Sequence, residues 1–224
     1  MRPKVCLKVL IPIIMGVGTT SCHMLYVPNS FNSPLLRNKG DGQINVTTGI
    51  SGFEVQTAYA ITDNVGIMAN GQVLKTTEHD TLKQQRTLFE LGLGYTEKFS
   101  DNGIFEIFGG AGVGEVPADY RKIDYDGVST TQITRYFIQP GLGFYNDWLD
   151  ISILSRLSAV SIGGETNWFY EPGFMAKMGY KRLRFYSCIG LSIPFEKYDD
   201  QKWNHNPIMF SIGIHFNFGK RLEE

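Results

Sequence analysis

Hydrophobic and polar residues alternate along most of the chain with a period of two. The clearest example is the stretch 87–99, TLFELGLGYTEKF, where Phe89, Leu91, Leu93 and Tyr95 alternate with glycine, threonine and glutamate. A helix cannot place every second residue on one face, whereas a β-strand does so by its geometry. An apolar face with an aromatic residue near each end is typical of a strand of a small transmembrane β-barrel.

The number of alternating stretches predicts a single barrel of about ten strands. A barrel of eight strands is the alternative. The predicted strands cover residues 43–50, 53–61, 64–75, 85–99, 104–116, 131–145, 149–160, 168–180, 184–195 and 208–218. We therefore expect an all-β, up-and-down antiparallel transmembrane β-barrel over residues 43–218. Pro140 and Pro172 fall inside predicted strands, and because proline cannot donate to a strand ladder, we expect a bulge at each.

The polar face of the predicted strands combines glycines with charged residues of both signs. Its charged members form a candidate lumen network: Glu54, Glu90, Glu106, Arg135, Arg156, Glu171 and Lys177. Because unpaired charges are costly in a narrow, poorly hydrated interior, we expect these side chains to pair inside the barrel. A barrel of this size is largely filled by its own side chains, so the network is expected to be structural rather than a transport path.

The connections between predicted strands alternate between short and long. The short turns are 62–63, 100–102, 147–148 and 181–183, and the longer connections are 76–84, 117–130, 161–167 and 196–207. The connection at 51–52 belongs to the second group but is short. Short periplasmic turns and long extracellular loops are the outer-membrane pattern. On this prediction both chain termini lie at the short-turn end and are periplasmic.

The composition excludes some classes of function but does not identify a particular function. The 224 residues include 25 glycines, 13% aromatic and 19% charged residues, which fits one β domain rather than a disordered chain. The formal net charge of -1 gives no basic excess, so nucleic acid is not an expected partner. The mean hydropathy of -0.13 averages over both faces of each strand, so it does not argue against a membrane barrel.

The N-terminus has the features of a targeting segment. Arg2, Lys4 and Lys8 precede an apolar core, and small residues at 18–21 lead to Cys22. This arrangement resembles the lipobox of bacterial lipoproteins, in which the cysteine is acylated and becomes the first mature residue. The resemblance implies a signal peptide at 1–21, a lipid on Cys22 and export by the lipoprotein machinery. Ordinary signal-peptide cleavage nearby is the alternative.

Two further segments complete the domain organisation. Residues 22–42 show no alternation and contain prolines and asparagines, so we expect a lipidated tether there. The last predicted strand ends in Phe218, is followed by a tail at 219–224, and resembles the terminal strand by which outer-membrane barrels are recognised for assembly. The whole chain thus resembles small bacterial outer-membrane β-barrels. The resemblance implies the outer membrane of a Gram-negative bacterium, contact with its lipids, and insertion by the barrel assembly machinery.

No motif for a particular chemistry accompanies this architecture. Two predicted loops carry a histidine near carboxylates, His79 between two acidic residues and His205 after Asp199 and Asp200. Such groups can act as bases or bind a cation, but solvated loops commonly carry them. We therefore expect no catalytic residue, no metal, no cofactor, and a structural or surface-binding role. The alternatives are a surface hydrolase using the His79 and His205 loops, and a soluble lipid-binding calycin-like barrel whose apolar face lines a cavity.

Overall fold

Every stretch of strong alternation forms a β-strand. A computed structural model describes residues 24–78, 82–117, 130–195 and 205–219, with only the backbone at 76–78 and 82–84. The strands are β1 (Gly42–Gly49), β2 (Gly52–Ala60), β3 (Val65–Glu78), β4 (Leu82–Lys98), β5 (Gly103–Pro117), β6 (Thr130–Tyr145), β7 (Leu149–Ile162), β8 (Glu165–Tyr180), β9 (Leu183–Leu191), β10 (Ile193–Pro194) and β11 (Ile208–Phe218). Within these ranges there is no helix long and apolar enough to cross a membrane.

Neighbouring strands pair in chain order, and the first strand pairs with the last. β1 pairs with β2 on one side and with β11 on the other, and β11 pairs in turn with β9. β8 pairs with both β9 and the two-residue β10, which continues β9 after a break at Ser192. The eleven segments therefore form ten barrel strands, and all their pairings are antiparallel. The prediction of a single closed up-and-down barrel of ten strands is confirmed.

Side chains on each strand alternate between the outside of the barrel and its lumen. Outward positions are mainly large and apolar, with Leu93 exposed to 60% and Ile153 to 70%. Inward positions are mainly polar, and Arg135 and Glu171 are fully buried. Closure of the ring gives each of the ten barrel strands a partner on both sides, so the described sheet has no edge strand.

The two ends of the barrel differ in their connections. The turn end contains the connections 61–64, 99–102, 146–148 and 181–182, and the loop end contains 50–51, 79–81, 118–129, 163–164 and 195–207. Two connections predicted to be long are shorter, because β3, β4, β7 and β8 continue further than expected. Gly163 and Gly164, with φ of 59° and 89°, make the tight turn between β7 and β8. The longest connections nevertheless lie at the loop end.

The prolines inside strands interrupt the ladder without changing its register. Pairing of β6 with β7 stops after Ile138 and Leu157 and resumes beyond Pro140 with the same register. Pro172 pairs with Ser155 of β7 in an unbroken register, and the pairing of β8 with β9 and β10 also keeps one register across it. The expected bulges are therefore wrong at both positions. A skipped rung accommodates the missing N–H without an extra residue.

Candidate functional site: the occupied lumen

The N-terminal part of the chain runs through the lumen of the barrel. We call residues 26–37 the lumen segment. At the loop end, Tyr26 forms a bridge with His205, and its carbonyl accepts a hydrogen bond from the Asn206 N–H. At the turn end, the Arg37 guanidinium lies 3.4 Å from the centre of the Tyr145 ring. Every residue from 26 to 36 is buried, and the chain then turns at 38–41 into β1.

This path differs from the tether expected from the sequence. The segment is irregular, as its composition indicates, but it lies inside the barrel. A segment surrounded by the wall has no solvent-facing side, so it shows no periodic pattern. We expected both termini at the short-turn end, and the first described residues lie instead at the loop end. Leu25 packs against a cluster at the loop end, whereas β11 finishes at the turn end with Phe218 paired to Gly42.

Polar side chains of the wall satisfy the backbone of the lumen segment. Buried carbonyl and N–H groups need hydrogen-bond partners, and this segment has no strand ladder of its own. Wall side chains donate to six of its carbonyls, those of residues 27 and 29–33. Examples are Tyr186 Oη to Phe31 at 2.6 Å, Gln139 Nε2 to Asn32 at 2.9 Å, and Lys177 Nζ to Ser33 at 2.7 Å. The side chains that line the lumen thus act as the hydrogen-bonding frame for the segment.

Four charged wall residues and Asn29 meet at the centre of the lumen, and we call them the central cluster. Arg135 Nη1 lies 3.3 Å from Glu90 Oε1, and its Nη2 lies 3.6 Å from Glu171 Oε2. Arg156 Nε donates to Glu171 Oε2 at 2.6 Å. The Asn29 carbonyl oxygen Oδ1 accepts from Arg135 at 2.6 Å and from Arg156 at 3.1 Å, and its Nδ2 donates to Glu90 at 2.6 Å. Two cations and two carboxylates therefore balance around one amide of the segment.

The other three residues of the predicted lumen network bind the lumen segment. Glu54 accepts hydrogen bonds from the backbone N–H of Ser30, at 3.0 Å, and from its hydroxyl. Glu106 accepts from the Leu35 N–H at 3.0 Å, and Lys177 donates to the Ser33 carbonyl. All seven residues lie buried in the lumen. The structure brings four of them into the central cluster and places three along the segment.

A second charged group, which was not predicted from the sequence, lies at the turn end. Arg184 Nη1 lies 2.7 Å from Asp150 Oδ1, and Arg37 of the lumen segment lies 3.6 Å from the same oxygen. Asp150 and Arg184 occupy inward positions next to short turns. The period-two pattern places both residues on the inward face, which could have indicated that they are enclosed. Residues so close to a turn are, however, usually exposed to solvent.

Apolar side chains of the segment fit where the wall has glycine. A Cβ atom added to Gly173 would lie 2.1 Å from Phe31 Cε2, and one added to Gly143 would lie 2.3 Å from Leu35 Cδ2. Leu35 also has a φ of 50°, a conformation that costs a leucine roughly 1–3 kcal/mol. The buried bond to Glu106 and the packing of Leu35 against the wall hold it there. The glycines of the polar face thus leave spaces for the apolar side chains of the segment, and we call these spaces sockets.

The residues of the hydrolase alternative are only partly described. His205 Nε2 lies 3.1 Å from the Ser192 carbonyl oxygen, and its ring centre lies 5.4 Å from that of Phe169. The remaining loop residues, at 79–80 and 199–200, lie outside the described ranges. Among the residues that the structure describes, no group of three or more His, Cys, Asp or Glu could hold a metal ion.

Cys22, the expected lipidation site, also lies outside the described ranges. No protein-family model matches the sequence, and no curated protein matches it. The features of the protein that bear on function are the barrel and its occupied lumen.

Proposed function

We propose that this protein is a non-enzymatic β-barrel lipoprotein of a bacterial outer membrane, closed by its own N-terminal segment. In this proposal the wall contacts membrane lipids, and the barrel assembly and lipoprotein export machineries deliver it. Its role is structural or surface-binding, and the loop end is the part available to a partner outside the cell.

The observation that carries the proposal is the apolar belt on the outside of the barrel. On β6, exposed Tyr136 and Phe144 lie on either side of exposed Ile138 and Leu142. The same order, an aromatic residue at each end and aliphatic residues between them, recurs on other strands. The eight residue steps from Tyr136 to Phe144 rise about 20 Å along the barrel axis, at about 3.3 Å per residue and about 40° tilt. This height is close to the apolar band of roughly 25 Å in outer-membrane barrels.

A soluble lipid-binding barrel has the reverse arrangement of faces. Such a barrel is polar outside and encloses an apolar cavity for its ligand. Here a continuous apolar surface faces outward. The lumen combines charged and amide side chains with smaller apolar clusters, and residues 26–37 already occupy it. The distribution of side chains therefore favours lipid outside the wall over lipid inside it.

The occupied lumen supports a structural role over catalysis or transport. Arg135, Arg156 and Glu90 each bond to Asn29, so the protein itself supplies a hydrogen-bond partner to each of them. The segment lies between the two ends of the barrel and blocks the path that a solute would take. A surface-binding role would fall to the loop end, which carries the longest connections.

Membrane extraction tests this proposal. Membranes from cells producing the protein or its Cys22→Ser variant are washed with alkaline carbonate, and the protein is assayed in pellet and supernatant. We expect both proteins to stay in the pellet, because the barrel itself is embedded, while the variant no longer incorporates labelled palmitate. The folded protein should also migrate differently from the boiled protein on a gel. Release of Cys22→Ser into the supernatant would mean that the wall does not lie in the membrane.

A further inference from the structure

The direction of the lumen segment determines where the preceding residues leave the barrel. Leu25 packs against a loop-end cluster that includes Leu88, Val116 and Ile133. Tyr26 is bridged to His205 at the same end. The chain therefore enters the lumen from the loop end and reaches the turn end only at residues 37–41.

We propose that the residues before Met24, with the anchor at Cys22, lie on the cell-surface side of the outer membrane. The acyl chains would then enter the outer leaflet, whereas the C-terminus lies on the periplasmic side. This inference rests on the proposed function, because it takes the loop end of a membrane barrel to be the extracellular end. It differs from the expectation that both chain termini are periplasmic.

The length of chain between Tyr26 and Cys22 allows the outer leaflet and excludes the inner one. Four residues reach at most about 14 Å when fully extended. A ring of ten strands spaced about 4.8 Å apart and tilted by about 40° has a radius of roughly 10 Å. Four residues can therefore cross the rim at the loop end. They cannot also descend the apolar band, which is roughly 25 Å high.

An anchor on the periplasmic side would require the segment to leave the lumen. Asn29 would then lose its bonds to Glu90, Arg135 and Arg156, and Phe31 would leave its socket beside Gly173. The charged wall residues would face one another across an empty lumen. The observed contacts thus oppose that arrangement on both electrostatic and packing grounds.

Protease accessibility in intact cells tests the inference with the full-length protein. One variant carries a protease recognition sequence between His23 and Met24, and the matched control carries the same sequence after Glu224. We expect protease added to intact cells to cut most of the first protein and to leave the control uncut until the outer membrane is permeabilised. Cleavage at neither site, at both sites, or only at the C-terminal site of intact cells would overturn the inference.

A second measurement avoids the insertion. In a Cys188→Ser background that keeps Cys22, intact cells are labelled with a membrane-impermeant maleimide. The labelling compares Met24→Cys with Glu165→Cys at the loop end and Asp101→Cys at the turn end. We expect the first two to react and Asp101→Cys to react only after lysis. Reaction of Glu165→Cys without Met24→Cys would overturn the inference while leaving the membrane barrel intact. A protein absent from the carbonate-washed pellet would instead overturn the proposed function on which the inference depends.

Discussion

Replacing Arg135 with methionine should strongly destabilise the folded barrel. Arg135 is fully buried and lies 3.3 Å from Glu90 Oε1. Without it, the donors left to Glu90 among the described residues are the amides of Asn29, at 2.6 Å, and Asn70, at 3.2 Å, whereas Glu171 keeps Arg156. Removal of one partner of a buried ion pair costs about 3–5 kcal/mol, because the other charge remains buried. We expect a loss of that size in the free energy of unfolding of Arg135→Met.

The double variant Arg135→Met with Glu90→Gln is the matched control, because it removes both charges and keeps an amide at position 90. Its loss should be below about 2 kcal/mol, so the two single changes should not add. Urea unfolding in detergent micelles, followed by tryptophan fluorescence, measures all the variants, and planar-bilayer recordings measure their conductance. A change within about 0.5 kcal/mol for Arg135→Met, together with an open channel in the parent protein, would refute the model of a dry, occupied lumen.

Three further predictions address the wall and the segment. Leu93→Arg, at an exposed position of the apolar belt, should lower the free energy of unfolding in lipid by roughly 2–4 kcal/mol. If urea titrations show the variant to be as stable as the parent protein, the wall does not face a membrane. Gly143→Ala should lower the urea midpoint of unfolding, because the added Cβ would lie 2.3 Å from Leu35 of the segment. Gly71→Ala is the control and should leave the midpoint unchanged, because its nearest neighbour is 3.9 Å away. Similar midpoints for the two variants would argue against the socket at Gly143. The hydroxyl oxygens of Ser33 and Ser152 lie 2.8 Å apart, so the double cysteine variant should form a disulfide on mild oxidation, detected by mass, and failure to form it would place the segment elsewhere.

The strands could be predicted because each separates two different environments. A residue such as Leu93 faces outward and the next inward residue faces the lumen, so a period of two follows directly from the geometry. The same period places Glu90, Arg135 and Glu171 in the lumen without any knowledge of their partners. Strand ends were less certain, since residues near a turn, such as Asp150, look the same whether solvated or enclosed.

The lumen segment could not be predicted in the same way. The segment contains residue types that favour turns and linkers, such as Asn29, Ser30 and Asn32. These residues led to the prediction of a tether. Their actual partners lie far away in sequence, since Ser30 binds Glu54 and Asn29 binds Arg156. Alternation shows which side of the wall a charge lies on, but it does not show what occupies the space it faces. The correct path of the N-terminus required the three-dimensional contacts.

The segment in the lumen has a consequence for the order in which the protein folds. Asn29 bonds to Arg135 and Arg156, and the Phe31 carbonyl bonds to Tyr186, across sequence separations of 106, 127 and 155 residues. Contacts this distant form slowly, because a long loop must close before they are made. These three bonds can therefore form only after strands from the far end of the chain arrive. Pairing of β1 with β11 then encloses the segment, so a part of the chain that precedes every strand is among the last to reach its final place.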